Sequence, residues 1–197
     1  MKREVKQHLV ERAIDGDAEA FGEIYFALRD AVYGFARRMT GEIAVSEDIT
    51  QEVFMFFVKY PEKFDSSRGT LFSFLCGVAR NKVFNHYKKN GAKCESGNFD
   101  TEDFDERINI NEKSPLTILL DREFAAKVEE CVAKLSPLQR EVLILREMED
   151  FSYDEIARIT ETEIGVVKSR LYRARRALAH ELGAYVKNEE EYFYEVR

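Results

Sequence analysis

Between residues 166 and 179 the chain carries five cations, Lys168, Arg170, Arg173, Arg175 and Arg176, and no acidic residue. On a helix, Val167, Leu171, Ala174, Leu178 and Leu182 fall on one face, leaving Lys168, Ser169, Tyr172, Arg173, Arg175 and Arg176 to the remainder. The whole chain has a net charge of −7, and gathering cations on one element costs self-repulsion that mixed signs would avoid. A polyanion relieves that repulsion, and a phosphate backbone is its natural form. A solvated basic helix is the plainer alternative. A second cluster, Arg80-Asn81-Lys82 with Lys88 and Lys89, interleaves cations with Asn85, His86 and Tyr87. Such a mixture can hold phosphates while a base stacks or is hydrogen-bonded on its edge; on these residues alone an exposed Lys/Asn helix end is the favoured reading. A third group, Asp48, Gln51 and Glu52, stands at i, i+3 and i+4, so all three share one helix face. Acids at a helix start serve the macrodipole, which explains Asp48 better than Glu52 a turn later. A polar, acidic face can also dock a basic partner.

Enzymatic constellations are not legible. His8, His86 and His180 lie in distant segments, and none stands beside a Cys or Ser at motif spacing. There is no phosphate loop, dinucleotide fingerprint or paired metal-ligand Cys; a zinc site from Cys76, His86 and Cys94 lacks the short ligand spacing. The expectation is therefore no catalytic residue, no metal and no cofactor.

The elements that must position these groups read as helices. The chain has 197 residues, 45% hydrophobic and 34% charged, the mixture of a globular protein with room for one or two domains. The longest apolar run, Val53-Phe54-Met55-Phe56-Phe57-Val58, is far too short to span a membrane. No signal peptide is legible, and three odd, widely separated cysteines fit a reducing compartment, so a cytoplasmic protein is expected. Phe21, Ile24, Tyr25, Leu28, Val32, Phe35 and Met39 predict one amphipathic helix over residues 17–39. Ser46 predicts the N-cap of a second, with Ile49, Val53, Phe56 and Phe57 buried and Pro61 ending it. After a polar loop at 65–69, Thr70 precedes a third helix carrying Leu71, Phe74, Leu75 and Val78.

From residue 90 to 114 composition shifts to Gly, Ser, Asn and acid, with Glu95, Asp100, Glu102, Asp103, Asp105, Glu106 and Glu112; this reads as a flexible acidic linker. Helical periodicity resumes with Leu116, Leu119, Leu120, Phe124, Val128, Val132 and Leu135. Ser136-Pro137 then opens a helix on Leu138, Val142 and Leu145. Ser152 with Glu155 forms a capping box, and Phe151 with Ile156 a hydrophobic staple. That short helix, the turn Thr160-Glu161-Thr162 and the basic helix running toward Leu182 make a helix-turn-helix pattern. The fold class is all-α, two helical domains joined by the linker: 1–89, 90–114, 115–183, and a 184–197 tail of acid and aromatics that reads as a frayed terminus or a docking segment.

Several segments together resemble bacterial sigma factors of the extracytoplasmic-function group of the sigma-70 family. Ser46-Glu47-Asp48-Ile49-Thr50-Gln51-Glu52-Val53-Phe54 is similar to the family's acidic D-x-x-Q-E-V-F signature, and Val78-Ala79-Arg80-Asn81 to its I-A-R-N motif. Leu135-Ser136-Pro137-Leu138-Gln139-Arg140-Glu141-Val142, Tyr153-Asp154-Glu155-Ile156-Ala157 and Val167-Lys168-Ser169-Arg170-Leu171-Tyr172-Arg173-Ala174-Arg175 resemble the −35-reading domain.

The resemblance implies a sigma region 2 bundle and a sigma region 4 helix-turn-helix. It implies a factor that binds core RNA polymerase and directs promoter-specific initiation, with an anti-sigma factor as a further partner. Asp48, Gln51 and Glu52 become the polymerase contact on the clamp coiled coil. Phe64, Phe72 and Asn81 become the capture site for a flipped −10 base, with Arg80, Lys82 and Lys88 on phosphates. Lys168, Ser169, Arg170, Tyr172, Arg173 and Arg175 become the −35 contacts, and the linker would run through the polymerase's RNA channel. Three departures stand out: Phe72 where the family usually has Trp, Glu161 where a turn glycine is common, and Val166 in place of Thr. Glu at a left-handed position would be strained. Two rival readings remain on residues alone: a stand-alone helix-turn-helix regulator binding duplex DNA, and an interaction protein that touches no DNA.

Overall fold

The computed structural model describes residues 5–91 and 115–195, with side chains over 5–91 and 124–183. The linker assigned to 90–114, including Cys94 and the acidic residues named above, thus lies almost wholly outside the described residues, as do the side chains of the tail.

Eight α-helices are described. α1 (Gln7–Ile14), which the periodicity did not reveal, packs Val10 beneath α2 (Ala18–Thr40). Asp17 caps α2 by accepting from the backbone N–H of Glu19 and Ala20, and Gly41 closes it at φ 77°. The predicted stripe is the buried one, with Ile24, Leu28, Val32, Phe35 and Met39 essentially inaccessible. α3 (Ile43–Lys59) begins three residues before Ser46. Ser46 is therefore not the N-cap. It is fully buried inside the first turn, its hydroxyl donating to Glu42 O at 2.5 Å and lying 2.9 Å from Thr40 Oγ1. The buried stripe of α3 is Ile49, Val53, Phe54 and Phe57, with Phe56 only half-buried. α4 (Leu71–Lys89) is capped by Thr70, whose hydroxyl accepts from Ser73 N at 3.1 Å. These helices form the first domain around an aromatic and aliphatic core.

The second domain comprises α5 (Pro115–Lys134), α6 (Pro137–Leu143), α7 (Tyr153–Thr160) and α8 (Ile164–Glu195). A π-helical turn at Ile144–Met148 extends α6, and Asp150 in the left-handed region (φ 58°) then brings Phe151 back against the core, its N–H donating to Leu145 O at 3.1 Å. The capping box at Ser152 and Glu155 is present in both directions. Glu161 takes φ 54°, ψ 42°, the strained left-handed conformation its position demanded. α8 starts at Ile164 rather than at a Thr162 cap, and its backbone continues helical through Glu195, past the expected end near Leu182.

One apolar cluster runs through both domains, from Val10 and Phe35 to Ile156 and Leu171. The domains meet where α4 packs on α7 and α2 approaches α5 and α6. Arg140 donates to the carbonyls of Val132, Ala133 and Leu135 at the end of α5 and, at 2.6 Å, to Met39 O at the end of α2. Carbonyls in the last turn of a helix have no partner within it, and one guanidinium here serves two such ends. No described helix is long and apolar enough to cross a membrane.

Candidate polymerase and nucleic-acid interfaces

α3 buries one face and leaves the opposite one open. Ser46, Ile49, Thr50 and Val53 point inward, with the Thr50 hydroxyl turned back onto Ser46 O at 2.6 Å. Asp48, Gln51 and Glu52 are consequently exposed together. Met55 (68% exposed) and Val58 (58%) continue the same side and border a groove between α2 and α3 floored by Phe21, Tyr25 and Phe54. Neither apolar residue was singled out from sequence; their signal was a helix too hydrophobic for one buried stripe to hold every apolar side chain. The open face of α3 is thus polar at one end and apolar at the other. Lys82 of α4 reaches across to Glu52, Nζ to Oε2 at 2.5 Å, so a residue expected on phosphate is tied to one expected on polymerase.

The loop before α4 is shaped by short-range caps. Asp65 accepts from the N–H and hydroxyl of Ser67 at 2.9 and 2.7 Å, which holds its carboxyl below the usual range and fixes the 3₁₀ turn Ser66–Arg68. Gly69 follows at φ 151°, where a Cβ would stand 2.8 Å from Ser73 Oγ. Behind this loop lies a cavity of about 300 Å³ lined by Phe64, Phe74, Arg68 and Asn81, with Arg158 and Ile159 of α7 on its other wall. Phe64 meets Phe74 edge-on at 5.6 Å. Phe72, expected beside them, turns away: it is buried and stacks on Phe151 of the second domain, 5.3 Å between ring centroids. Its position at the second residue of α4 points it to the opposite side from Asn81, which is exposed, as is Lys88.

Arg80 occupies the domain boundary. Its Nε donates to Glu141 Oε2 at 2.7 Å and its guanidinium lies over the Phe84 ring at 4.7 Å. Glu141 is fully buried and also meets Arg170 Nη1 at 3.3 Å. Burial pushes the Glu141 carboxyl up, against the pull of both guanidiniums, and burial likewise lowers Arg170. Sequence reasoning passed over Glu141, although an acid placed three residues after Leu138 and four before Leu145 on a buried stripe was a readable signal.

The helix-turn-helix sets α8 with Val167, Leu171 and Ala174 inward. Lys168 is exposed, and Ser169, Tyr172, Arg173 and Arg175 are half-buried on the outer side. Arg175 Nη2 pairs with Glu147 Oε1 at 2.7 Å. Arg170 departs from the expectation: at 7% exposure it is part of the interior, because it falls one residue before Leu171 and its guanidinium goes to Glu141. Among the described residues no group of His, Cys, Asp and Glu is placed to hold a metal ion.

Comparison with known proteins follows the same division. Residues 24–93 match the family model of sigma-70 region 2, and residues 125–178 that of sigma-70 region 4, together more than half of the chain. The chain belongs to the sigma-70 family. Its relatives lie in the extracytoplasmic-function group: it is 33% identical over 171 residues to the sigma factor BldN of Streptomyces coelicolor, and 29% identical over 189 residues to the sigma-E factor of Escherichia coli K12. The alignments cover 87% and 92% of this chain, but 63% of BldN against 96% of sigma-E. The sigma factor RpoE from Bartonella quintana, solved in complex with the anti-sigma factor NepR, shares the fold at a TM-score of 0.62 and 24% identity, over 84% of this chain and 98% of that one.

Proposed function

We propose that this sigma-family chain binds core RNA polymerase through the open face of α3, reads the −35 element with the outer face of α8, and captures and melts the −10 element beside α4. The observation that carries the reading is the presence, in one chain, of two unlike exposed faces. Asp48, Gln51 and Glu52 suit a basic protein partner, whereas Lys168, Ser169, Tyr172 and Arg173 suit a major groove. A stand-alone regulator has no use for the first face, and an interaction protein that touches no DNA would lack the steep fall of DNA affinity with salt that Lys168 and Arg173 imply.

Each part has a physical role. Met55 and Val58 beside the acidic group supply the apolar area that a polymerase contact needs around its charges. Asn81 and Phe64 border a cavity in which one unstacked base can be enclosed, and Lys88 and Arg80 neutralise the strand's phosphates. Arg170 and Arg175 are assigned a different task from Lys168 and Arg173: through Glu141 and Glu147 they set the angle of α8 on its domain. The chain supplies recognition and strand opening, and the bond-forming chemistry belongs to the polymerase. An anti-sigma factor of the kind that accompanies the Bartonella quintana protein is a further partner.

In vitro transcription with core RNA polymerase on fragmented genomic DNA, with and without the chain, tests the reading. The expected result is a set of new RNA 5′ ends sharing two upstream elements. Polymerase-independent binding to duplex DNA with no new starts would favour the stand-alone regulator.

A further inference from the structure

α8 begins with an apolar side chain that the core does not take. Val167, Leu171 and Ala174 fill the inner face, whereas Ile164, the first residue of the helix, is 40% exposed. It stands four residues before Lys168 and eight before Tyr172, so it heads the same outer stripe one turn nearer the helix start. The turn fixes its place from behind. Glu161 in the left-handed region reverses the chain, Thr162 N donates to Ala157 O at 3.0 Å, and the Thr160 and Thr162 hydroxyls lie 2.9 Å apart. Glu163 O then accepts from the N–H groups of Val166 and Val167 at 3.0 and 3.1 Å.

The neighbouring charges divide this surface. Tyr153, the first residue of α7, has the Arg146 guanidinium over its ring at 5.1 Å and the Lys168 ammonium at 6.0 Å, so two cations are drawn together toward α7. A helix-turn-helix lays its first helix across the sugar-phosphate backbone and the N-terminal residues of its second on base edges. The Arg146–Lys168 pair therefore falls on the phosphate side. Beside Ile164 the exposed Glu163 puts a carboxylate where a helix N-terminus would otherwise attract a phosphate. The first turn of α8 is left to the base edges, and the Ile164 side chain can make no hydrogen bond there. The apolar group that a base pair shows in the major groove is the thymine methyl. We propose that Ile164 is a specificity-determining residue of the −35 contact, packing on the 5-methyl group of one thymine and selecting an A·T pair at that position. This rests on the assignment of α8 to the −35 element.

Removing that methyl alone tests the proposal. Holoenzyme assembled from the full chain and core polymerase is titrated with a fluorescent promoter duplex, taken from the start sites it maps, in which each −35 thymine on either strand is replaced in turn by deoxyuridine. One replacement should weaken wild-type binding about fourfold, the value of one buried methyl-sized group. Ile164→Ala should lose a similar factor on the parent duplex and be indifferent to that one replacement, a position-specific change that misfolding does not produce. Ile164→Asn, which offers an amide suited to adenine, should change the base selected at the same position of a randomised −35 library and leave its neighbours as they were. Wild-type holoenzyme insensitive to every deoxyuridine, an Ile164→Ala variant that keeps the full sensitivity, or an unaltered preference in Ile164→Asn overturns the proposal. Scrambling the whole −35 duplex separates this from the reading beneath it: a loss of wild-type binding on scrambling without any response to deoxyuridine removes Ile164 and leaves α8 on the −35 element, whereas no loss on scrambling removes α8 from that element altogether.

Discussion

Beside the short α1, the first domain presents its candidate faces on helices of 23, 17 and 19 residues, whereas the helix-turn-helix of the second sets a helix of 8 residues against the start of α8. In the first, α2 buries Ile24, Leu28, Val32, Phe35 and Met39 along one face, and the stripe alone holds the element. In the second, α7 has few side chains to bury, and its ends are held by the capping box at Ser152 and by a left-handed Glu161. Long helices thus present functional groups as a by-product of burying the opposite face, as α3 does with Asp48, Gln51 and Glu52. Short helices present them only if their turns are right.

That contrast can be broken or sharpened by substitution. Phe35→Ala should have the largest effect, about 3–5 kcal/mol lost from the first domain for a fully buried ring; chemical denaturation followed by circular dichroism measures it. Replacing Asp48, Gln51 and Glu52 together by Lys should cost that stability only about 1 kcal/mol, since all three are exposed and the Glu52–Lys82 ion pair is the one bond lost. The same variant should weaken core-polymerase binding on the order of 100-fold, as reversed charges at an interface do. Co-elution with core enzyme reads the loss, and retained binding would remove α3 from the interface. In the second domain, Lys168→Ala and Arg173→Ala should each cost about 1–3 kcal/mol if they contact bases, or reduce the salt slope by about 1 if they contact phosphate. Titration of −35 duplex at several salt concentrations separates the two.

A smaller effect concerns the turn itself. Glu161→Gly should stabilise the second domain by about 1 kcal/mol, because glycine pays no steric cost at φ 54°; an unchanged melting temperature would show that the turn carries little strain. The smallest effect is expected on α5, where hydrogen bonds from Lys127 and Lys134 lower the Glu130 carboxyl to about 2. A depressed carboxylate contributes stability that is present above its unfolded value and lost as pH falls through its folded one. Thermal melts between pH 5 and about 2 should lose stability in wild type and show less pH dependence in Glu130→Gln.

The helices and their exposed faces were legible because each depends on spacing within one segment. The stripe of α2, the capping box at Ser152 and the basic outer face of α8 all came from residues no more than a few turns apart. Ser46 misled because serine is a strong N-cap residue, but in α3 its hydroxyl satisfies Glu42 O from inside the first turn. Phe72 and Arg170 misled for a related reason. Their motifs suggest nucleic acid, and periodicity does not report what stands opposite a side chain.

From the sequence alone follow the all-α class, the aromatic core of the first domain, the helix-turn-helix and the segregation of acid on α3 from cations on α8. Helical period and composition are local quantities, so they determine which face of each element is buried. The tertiary structure decided which partner covers that face: Glu141 with Arg80 across 61 residues, Arg140 with Met39 across 101, Phe151 on Phe72. A carboxylate enters the interior only where guanidiniums from separate elements converge on it, and that convergence exists only once the helices have packed.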